Sequence, residues 1–223
     1  MICWSCEKAA GAGEFCAACG AVLPAEAGAD HFGVLGVAPA FEVDLVELER
    51  RYKDAARRLH PDKFVRSDPR ARRASLARSV QLNDAWKTLR DPVKRAEYLL
   101  AQAGIEVGGE EGTMRTTGGA AAGKEKVPVP QALLMDVMEL REGLMDARAE
   151  DDEARVRELT ADVRARRKRA MDAVAVAFAA APADIERAAS ELVAVRYYDR
   201  FLAEVAAGEG APAHLNLGSN HAG

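Results

Sequence analysis

The chain has 223 residues, with 31 Lys+Arg against 35 Asp+Glu, four Cys, four His and an aromatic content of 5%. Hydrophobic residues make up 49%, much of it alanine. That composition favours thin helical layers over a β-sandwich, whose pleated faces want β-branched and aromatic side chains. The longest apolar run, Ala173 to Ala181, falls far short of the ~20 residues of a membrane span. The opening MICWSC carries neither a basic nor an apolar signal region, so neither a membrane protein nor a secreted one is expected. Charge is segregated: Leu45 to Leu99 holds 15 of the basic and 8 of the acidic residues, leaving 16 and 27 for the remainder. A basic block between acidic ones points to a charged partner.

All four cysteines fall in the first 19 residues, as Cys3 and Cys6 and then Cys16 and Cys19. Each two-residue spacing lets one knuckle present two sulfurs to a metal, and two knuckles complete a closed tetrahedron with no position left for water. Gly20, directly after the last cysteine, supplies backbone freedom for the turn. A segment this short has almost no core, so metal ligation would supply its folding energy. Structural zinc is the leading expectation; iron in a rubredoxin-like site and disulfide or redox chemistry are the alternatives.

In the basic block, Leu45, Leu48, Tyr52, Ala55 and Leu59 recur at helical spacing behind Asp44, a suitable N-cap. Arg50, Arg51, Lys53, Arg57 and Arg58 occupy the rest of that surface, and His60-Pro61 ends the helix. A second helix carries Leu76, Val80, Leu82, Trp86 and Leu89 and is closed by Asp91-Pro92. A third runs from Pro92 through Ala96, Leu99 and Leu100 to Gly104. The stretch from Gly104 to Pro130 contains seven glycines and no apolar periodicity, the composition of a flexible linker. Beyond it, three helices are expected. The first, Gln131 to about Ala149, has Leu133, Val137, Leu140 and Leu144 as its core stripe. The second, about Asp151 to Ala181, offers Val156, Leu159, Val163, Ala170, Val174 and Phe178. After Pro182 the third offers Ile185, Leu192, Val195, Tyr198, Leu202 and Val205. Each alone is marginal in water, and a three-helix bundle is the simplest way to bury the stripes.

His60-Pro61-Asp62, followed by Lys63, lies at the junction of two antiparallel helices. Such a turn can hold a carboxylate clear of the chain beside a basic face, where a partner's arginine could meet it in charge-assisted fashion. On the first bundle helix, Leu133, Val137, Leu140 and Leu144 cluster within ~60° on the helical wheel, while Leu134, Met138 and Met145 lie ~100° away. One stripe can face the bundle while the other stays available to a partner, and methionines suit an adaptable surface.

YKDAARRLHPDKF (Tyr52 to Phe64) and LNDAWKTLRDPVKRAEYLL (Leu82 to Leu100) resemble the second and third helices of a J-domain, and DHFGVLGV (Asp30 to Val37) resembles its opening. LLMDVMELREGL (Leu133 to Leu144) and VRYYDRFL (Val195 to Leu202) resemble the C-terminal bundle of the HscB family, J-type co-chaperones of iron–sulfur cluster assembly. CWSC and CAACG are similar to the zinc-binding extension of some HscB homologues. The resemblance implies an all-α chain: a zinc-knuckle module (1–23), a J-domain (30–103), a Gly-rich linker (104–130), a scaffold-binding three-helix bundle (131–207) and a disordered tail (208–223). It implies that His60, Pro61 and Asp62, with Lys63 beside them, trigger the ATPase of an HscA/DnaK-type chaperone, and that Arg50, Arg51, Lys53, Arg57 and Arg58 steer against it. It implies that Leu134, Met135, Met138, Glu139, Arg141, Glu142 and Tyr197 bind an IscU-type scaffold. Tyr197 and Met138 stand where the family leads one to expect Phe and Leu. The linker is also longer than expected for the family, which leaves the angle between the modules open.

No Gly-rich cofactor loop, Ser/His/Asp grouping or catalytic carboxylate pair is visible, so the expectation is a cytoplasmic adaptor rather than an enzyme. The alternatives are a general J-domain co-chaperone for other clients and a zinc-containing nucleic-acid binder. The last would draw on Arg164, Arg166, Arg167, Lys168 and Arg169, but the chain lacks an aromatic stacking platform.

Overall fold

A computed structural model describes residues 1–107 and 125–209. Among these residues the architecture is helical: α1 (His31–Leu35), α2 (Leu45–Leu59), α3 (Pro69–Leu89), α4 (Pro92–Gln102), α5 (Gln131–Ala149), α6 (Glu153–Ala179) and α7 (Ile185–Glu209). A 3-10 turn, Pro61–Phe64, joins α2 to α3. Aspartates set the helix starts: Asp44, Asp68 and Asp91 each accept from backbone N–H groups of the following first turn, and prolines stand at the start of α3 and α4. Asp30 caps α1 through Gly33 N–H (2.9 Å) and also accepts from Tyr98 Oη and Gln102 Nε2, both at 2.8 Å, which ties α1 to α4.

Three apolar clusters form the interior. The smallest lies among the cysteines, with Ala10 and Leu23. The second fills the α2–α3 hairpin with Phe32, Leu35, Leu48, Ala55, Leu59, Leu82, Ala85 and Leu89, and includes Val22 from the cysteine segment. The third is the bundle of α5, α6 and α7, and it extends beyond the bundle to Ala96 and Leu100 of α4, Phe41 and Val107. Full burial of a Leu or Phe side chain contributes about 1.5–3 kcal/mol, so each large cluster can sustain its own layer.

Several expected core positions differ. Leu45, Leu76 and Val80 are exposed, the last two at 57% and 53%. On α3 the buried face is built instead from Ala71, Ala74, Ser75, Leu82, Ala85 and Leu89, because small side chains let this helix approach its neighbours closely. On α7, Phe201 is fully buried although the apolar periodicity did not single it out, while Ile185 and Leu202 are only partly buried. Helices α6 and α7 end at Ala179 and Glu209. Gly208 and Glu209, expected to open the tail, continue α7 instead, and the remainder of the expected tail lies outside the described residues, as does 108–124 of the expected linker. The edges of that linker have structure: Ile105–Glu106 (β1) pairs in parallel with Glu125–Lys126 (β2), Val107 is buried, and Val127 and Val129 pack on the bundle core.

Helix α4 joins the two larger clusters. Ala96 and Leu100 face α7, while Leu99 touches both cores. Glu97 pairs with Arg196 of α7 at 2.9 Å, and Arg196 also donates to Val107 O at 2.6 Å. Arg95 is buried, donates to Phe41 O at 2.6 Å and to Leu89 O, and lies over the Phe41 ring. Phe41 in turn stacks on Phe178 of α6 at 5.2 Å. Removing the Arg95 guanidinium strands two buried carbonyls, so Arg95→Ala is expected to cost about 2–3 kcal/mol. Denaturant unfolding checks this, and Arg95→Lys should recover only a minor part because an ammonium cannot span both acceptors.

Candidate docking surfaces and metal centre

Helix α2 ends where His60 turns to an extended backbone (ψ 126°) ahead of Pro61. The last α2 carbonyl, Leu59 O, accepts from Ser75 Oγ (2.6 Å) and Ser79 Oγ (3.1 Å) of α3, which fastens the turn to the hairpin. His60 Nδ1 accepts from the Asp62 backbone N–H at 3.3 Å. The same nitrogen lies 3.5 Å from Asp62 Oδ2. The Asp62 side chain is 85% exposed. The turn thus carries an outward carboxylate that no described Lys or Arg engages.

The basic face of α2 is more balanced than its sequence reads. Glu47 binds Arg50 (2.7 Å) and Arg51 (2.7 Å), Asp54 holds Arg50 (3.1 Å) and Arg57, and Glu49 pairs with Lys53 (2.8 Å). Arg50 and then Arg51 draw the Glu47 carboxyl down to about 2. Arg51 also donates to Gly36 O. Gly36 has φ 66°, and a Cβ there would lie 3.0 Å from Arg51 Nη1, so glycine permits this close approach. Arg58 reaches outside the helix, to Glu14 at 2.8 Å.

On α5 the two stripes separate as the periodicity indicates. Leu133, Val137, Leu140 and Leu144 are buried, while Leu134 (39%), Met135, Met138 (59%) and Met145 are exposed, with Glu139 and Glu142. Arg141 forms a two-pronged bridge to Glu204 of α7 (2.6 and 3.1 Å). Tyr197, half-buried, shares a helix face with Glu204, and the Arg200 guanidinium lies 5.9 Å from its ring. Of the Arg164–Arg169 run, Arg166 and Arg167 are half-buried and reach acids on the neighbouring helices, while Arg164, Lys168 and Arg169 are exposed. Arg166 bridges Asp136 and Asp162, Arg167 pairs with Asp199, and Lys168 with Asp172.

The four cysteine sulfurs all lie within 4.8 Å of one another. They come from two similar knuckles: Cys3 O accepts from Glu7 N–H (3.0 Å) and Cys16 O from Gly20 N–H (2.8 Å), with Glu7 and Gly20 both at positive φ. Cys3–Cys19 and Cys6–Cys16 are 3.7 and 3.8 Å apart, and all four cysteines are free. A disulfide needs about 2.05 Å, so the disulfide alternative is set aside. A tetrahedron with metal–sulfur bonds of about 2.3 Å has edges of about 3.8 Å, which these separations match. The backbone N–H groups of Ser5 and Cys6 bring the Cys3 thiol down to about 7. A backbone bond at Lys8 lowers Cys6, but burial and the three neighbouring thiols outweigh it and push Cys6 up to about 11. Ionising one sulfur thus opposes ionising the next, and a cation is what allows four thiolates to coexist.

Comparison with known proteins places this geometry. Residues 30–98 match the DnaJ domain, and residues 129–206 match the HSCB C-terminal oligomerisation domain. Over 200 residues the chain is 34% identical to the iron–sulfur cluster co-chaperone protein HscB of Mus musculus, covering 88% of this chain and 77% of that one. The chain belongs to the HscB family. It is also 37% identical over 123 residues to a co-chaperone protein HscB homolog of Shewanella baltica, a match spanning 55% of this chain and 63% of the relative. The crystal structure of human co-chaperone protein HscB superposes with a TM-score of 0.77 at 29% identity, over 94% of this chain and 99% of that one. Chaperone HscB from Vibrio cholerae gives 0.64 at 27% identity, over 81% and 98%.

As an HscB co-chaperone, the chain carries a J-domain and an HscB C-terminal domain. Some groups that position its surfaces were not visible in the sequence. Ser75 and Ser79, which anchor the His60 turn, signal themselves only as two hydroxyls four residues apart. Arg78 donates to Leu23 O (2.7 Å), Pro24 O (2.9 Å) and Gly13 O (3.1 Å), docking the cysteine module on α3. Trp4 Nε1 donates to Val22 O (2.8 Å), and Trp4 and Phe15 pack on the hairpin core. In a side-chain carboxyl NMR titration, Glu47 is expected to protonate near pH 2. Arg50→Ala should raise its midpoint towards the ordinary Glu value of about 4.3.

Proposed function

We propose that this HscB protein is an adaptor in iron–sulfur cluster biogenesis. Its J-domain stimulates an HscA/DnaK-type ATPase while its C-terminal bundle holds an IscU-type scaffold protein. The observation that carries the reading is the outward Asp62 carboxylate on a turn pinned to two helices beside five cations of α2. An acceptor-only group fixed in that place suits a two-pronged bond from a chaperone arginine. His60 and Pro61 shape the turn, Lys63 adds charge beside it, and Arg50, Arg51, Lys53, Arg57 and Arg58 steer the encounter. At the other end, Leu134, Met135 and Met138 offer an apolar strip edged by Glu139, Arg141 and Glu142, with Tyr197 on the neighbouring helix. Binding both partners at once raises the scaffold's effective concentration at the chaperone.

The four-thiol set fits zinc held by Cys3, Cys6, Cys16 and Cys19; the metal would give the N-terminal module a closed structural centre. Four thiols kept out of disulfides suit the reducing cytoplasm. We assign residues 1–23 to the metal module, 30–103 to the J-domain and 131–207 to the scaffold-binding bundle. No described helix is long and apolar enough to cross a membrane.

Two variants test the two arms separately. Asp62→Asn keeps the turn's shape and removes the charge, so single-turnover ATPase assays should show stimulation lost while scaffold affinity is unchanged. Normal stimulation by that variant refutes the trigger. Leu134→Ala combined with Met138→Ala should weaken scaffold binding about tenfold or more, as truncation of central interface contacts does. In calorimetry with the scaffold, an unchanged affinity refutes the strip, and chaperone stimulation without scaffold should be untouched.

A further inference from the structure

The cations of α2 fall into two kinds. Arg50, Arg51, Lys53 and Arg57 pair with acids three or four residues away on the same exposed helix. Such pairs contribute little and exchange readily. Arg58, two residues before His60, is held instead by Glu14 of the cysteine module at 2.8 Å. Glu14 is unlike the helix acids. Its side chain is only 18% exposed, and its own carbonyl accepts from Leu23 N–H at 2.8 Å. On one side Gly13 O is gripped by Arg78, and on the other Phe15 bridges Val22 next to Cys16. A mostly buried carboxylate on so fixed a backbone loses less freedom on pairing, so it competes for Arg58 more effectively than a mobile surface acid. Glu14 and Phe15 also line one groove with Arg50, Arg51, Arg57 and Arg58.

We infer that the cysteine module forms one edge of the chaperone-docking face and that Glu14 tempers docking by withholding Arg58 from an acidic partner surface. This rests on the reading that α2 docks the chaperone. Association then requires exchanging the Glu14–Arg58 pair for one between Arg58 and a partner carboxylate. The knuckle that closes on Cys16 sets where Glu14 stands, so the module contributes to recognition as well as to the fold.

The test is association of the metal-loaded full chain with an HscA/DnaK-type chaperone, followed by stopped flow over a range of salt. Glu14→Gln should associate about two- to fivefold faster at low ionic strength, with a steeper salt dependence and convergence at high salt. Metal content by native mass spectrometry should stay equal to wild type, and the gain should vanish when Arg58→Ala is added. Glu26→Gln makes the same change in net charge on an exposed residue of the segment linking the module to α1 and should leave the rate unaltered. If Glu14→Gln gains nothing, or Glu26→Gln gains as much, the inference is overturned while the proposed function stands. If the wild-type chain does not bind the chaperone at all, both fall together.

Discussion

Helix α4 has apolar contacts on two sides, and the relation between the two ends of the molecule depends on it. Tyr98 reaches back to Asp30 and packs with the hairpin core, whereas Ala96 and Leu100 belong to the bundle core. Glu97 and Arg196 add an ion pair at the same joint, and Arg95, Phe41 and Phe178 extend the contact to α6. Burial pushes the Glu97 carboxyl up, with Arg196 opposing that shift. This is the mark of a charge kept in a partly desolvated seam. The composition of 104–130 reads as a loose tether, but the packing of α4 on α7 fixes how the two modules meet.

That joint gives the proposed adaptor its physical basis. The His60–Asp62 turn is pinned to α3, α3 and α4 share a core with α1, and α4 meets the helix that carries Tyr197 and Glu204. Placement of one proposed docking surface therefore carries over to the other through packed side chains. The cysteine module is fastened in the same way, by Arg78, Val22 and Trp4, against the hairpin that bears the turn.

Local chemistry made much of this legible in the sequence. Asp44 and Pro61 bound α2 because capping and proline act within a few residues, and the same holds for Asp91 and Pro92 at α4. The two α5 stripes were readable because Leu and Met at helical spacing leave little ambiguity about which face is which. The spacing of the four cysteines alone announces that their sulfurs converge. The misreadings arise where tertiary contact overrides local pattern. Leu76 and Val80 look like core, but α3 turns its small residues inwards. Phe201 drops out of the pattern yet fills the bundle. The Ser75 and Ser79 hydroxyls, the Arg95 contact to Phe41 O and the Glu14–Arg58 pair join residues far apart in the chain, so no periodicity announces them. The five α2 cations were visible as charge, but the pairing of four of them with Glu47, Glu49 and Asp54, and of Arg58 with Glu14, follows only from side-chain geometry.

The packing at α4 requires the J-domain and the bundle to move as one body. Residual dipolar couplings of backbone amides, measured on the full chain in a weakly aligning medium, address this directly. A single alignment tensor should fit α1–α4 and α5–α7 together. Two tensors of different magnitude or orientation, one for each set of helices, would show that the joint does not hold.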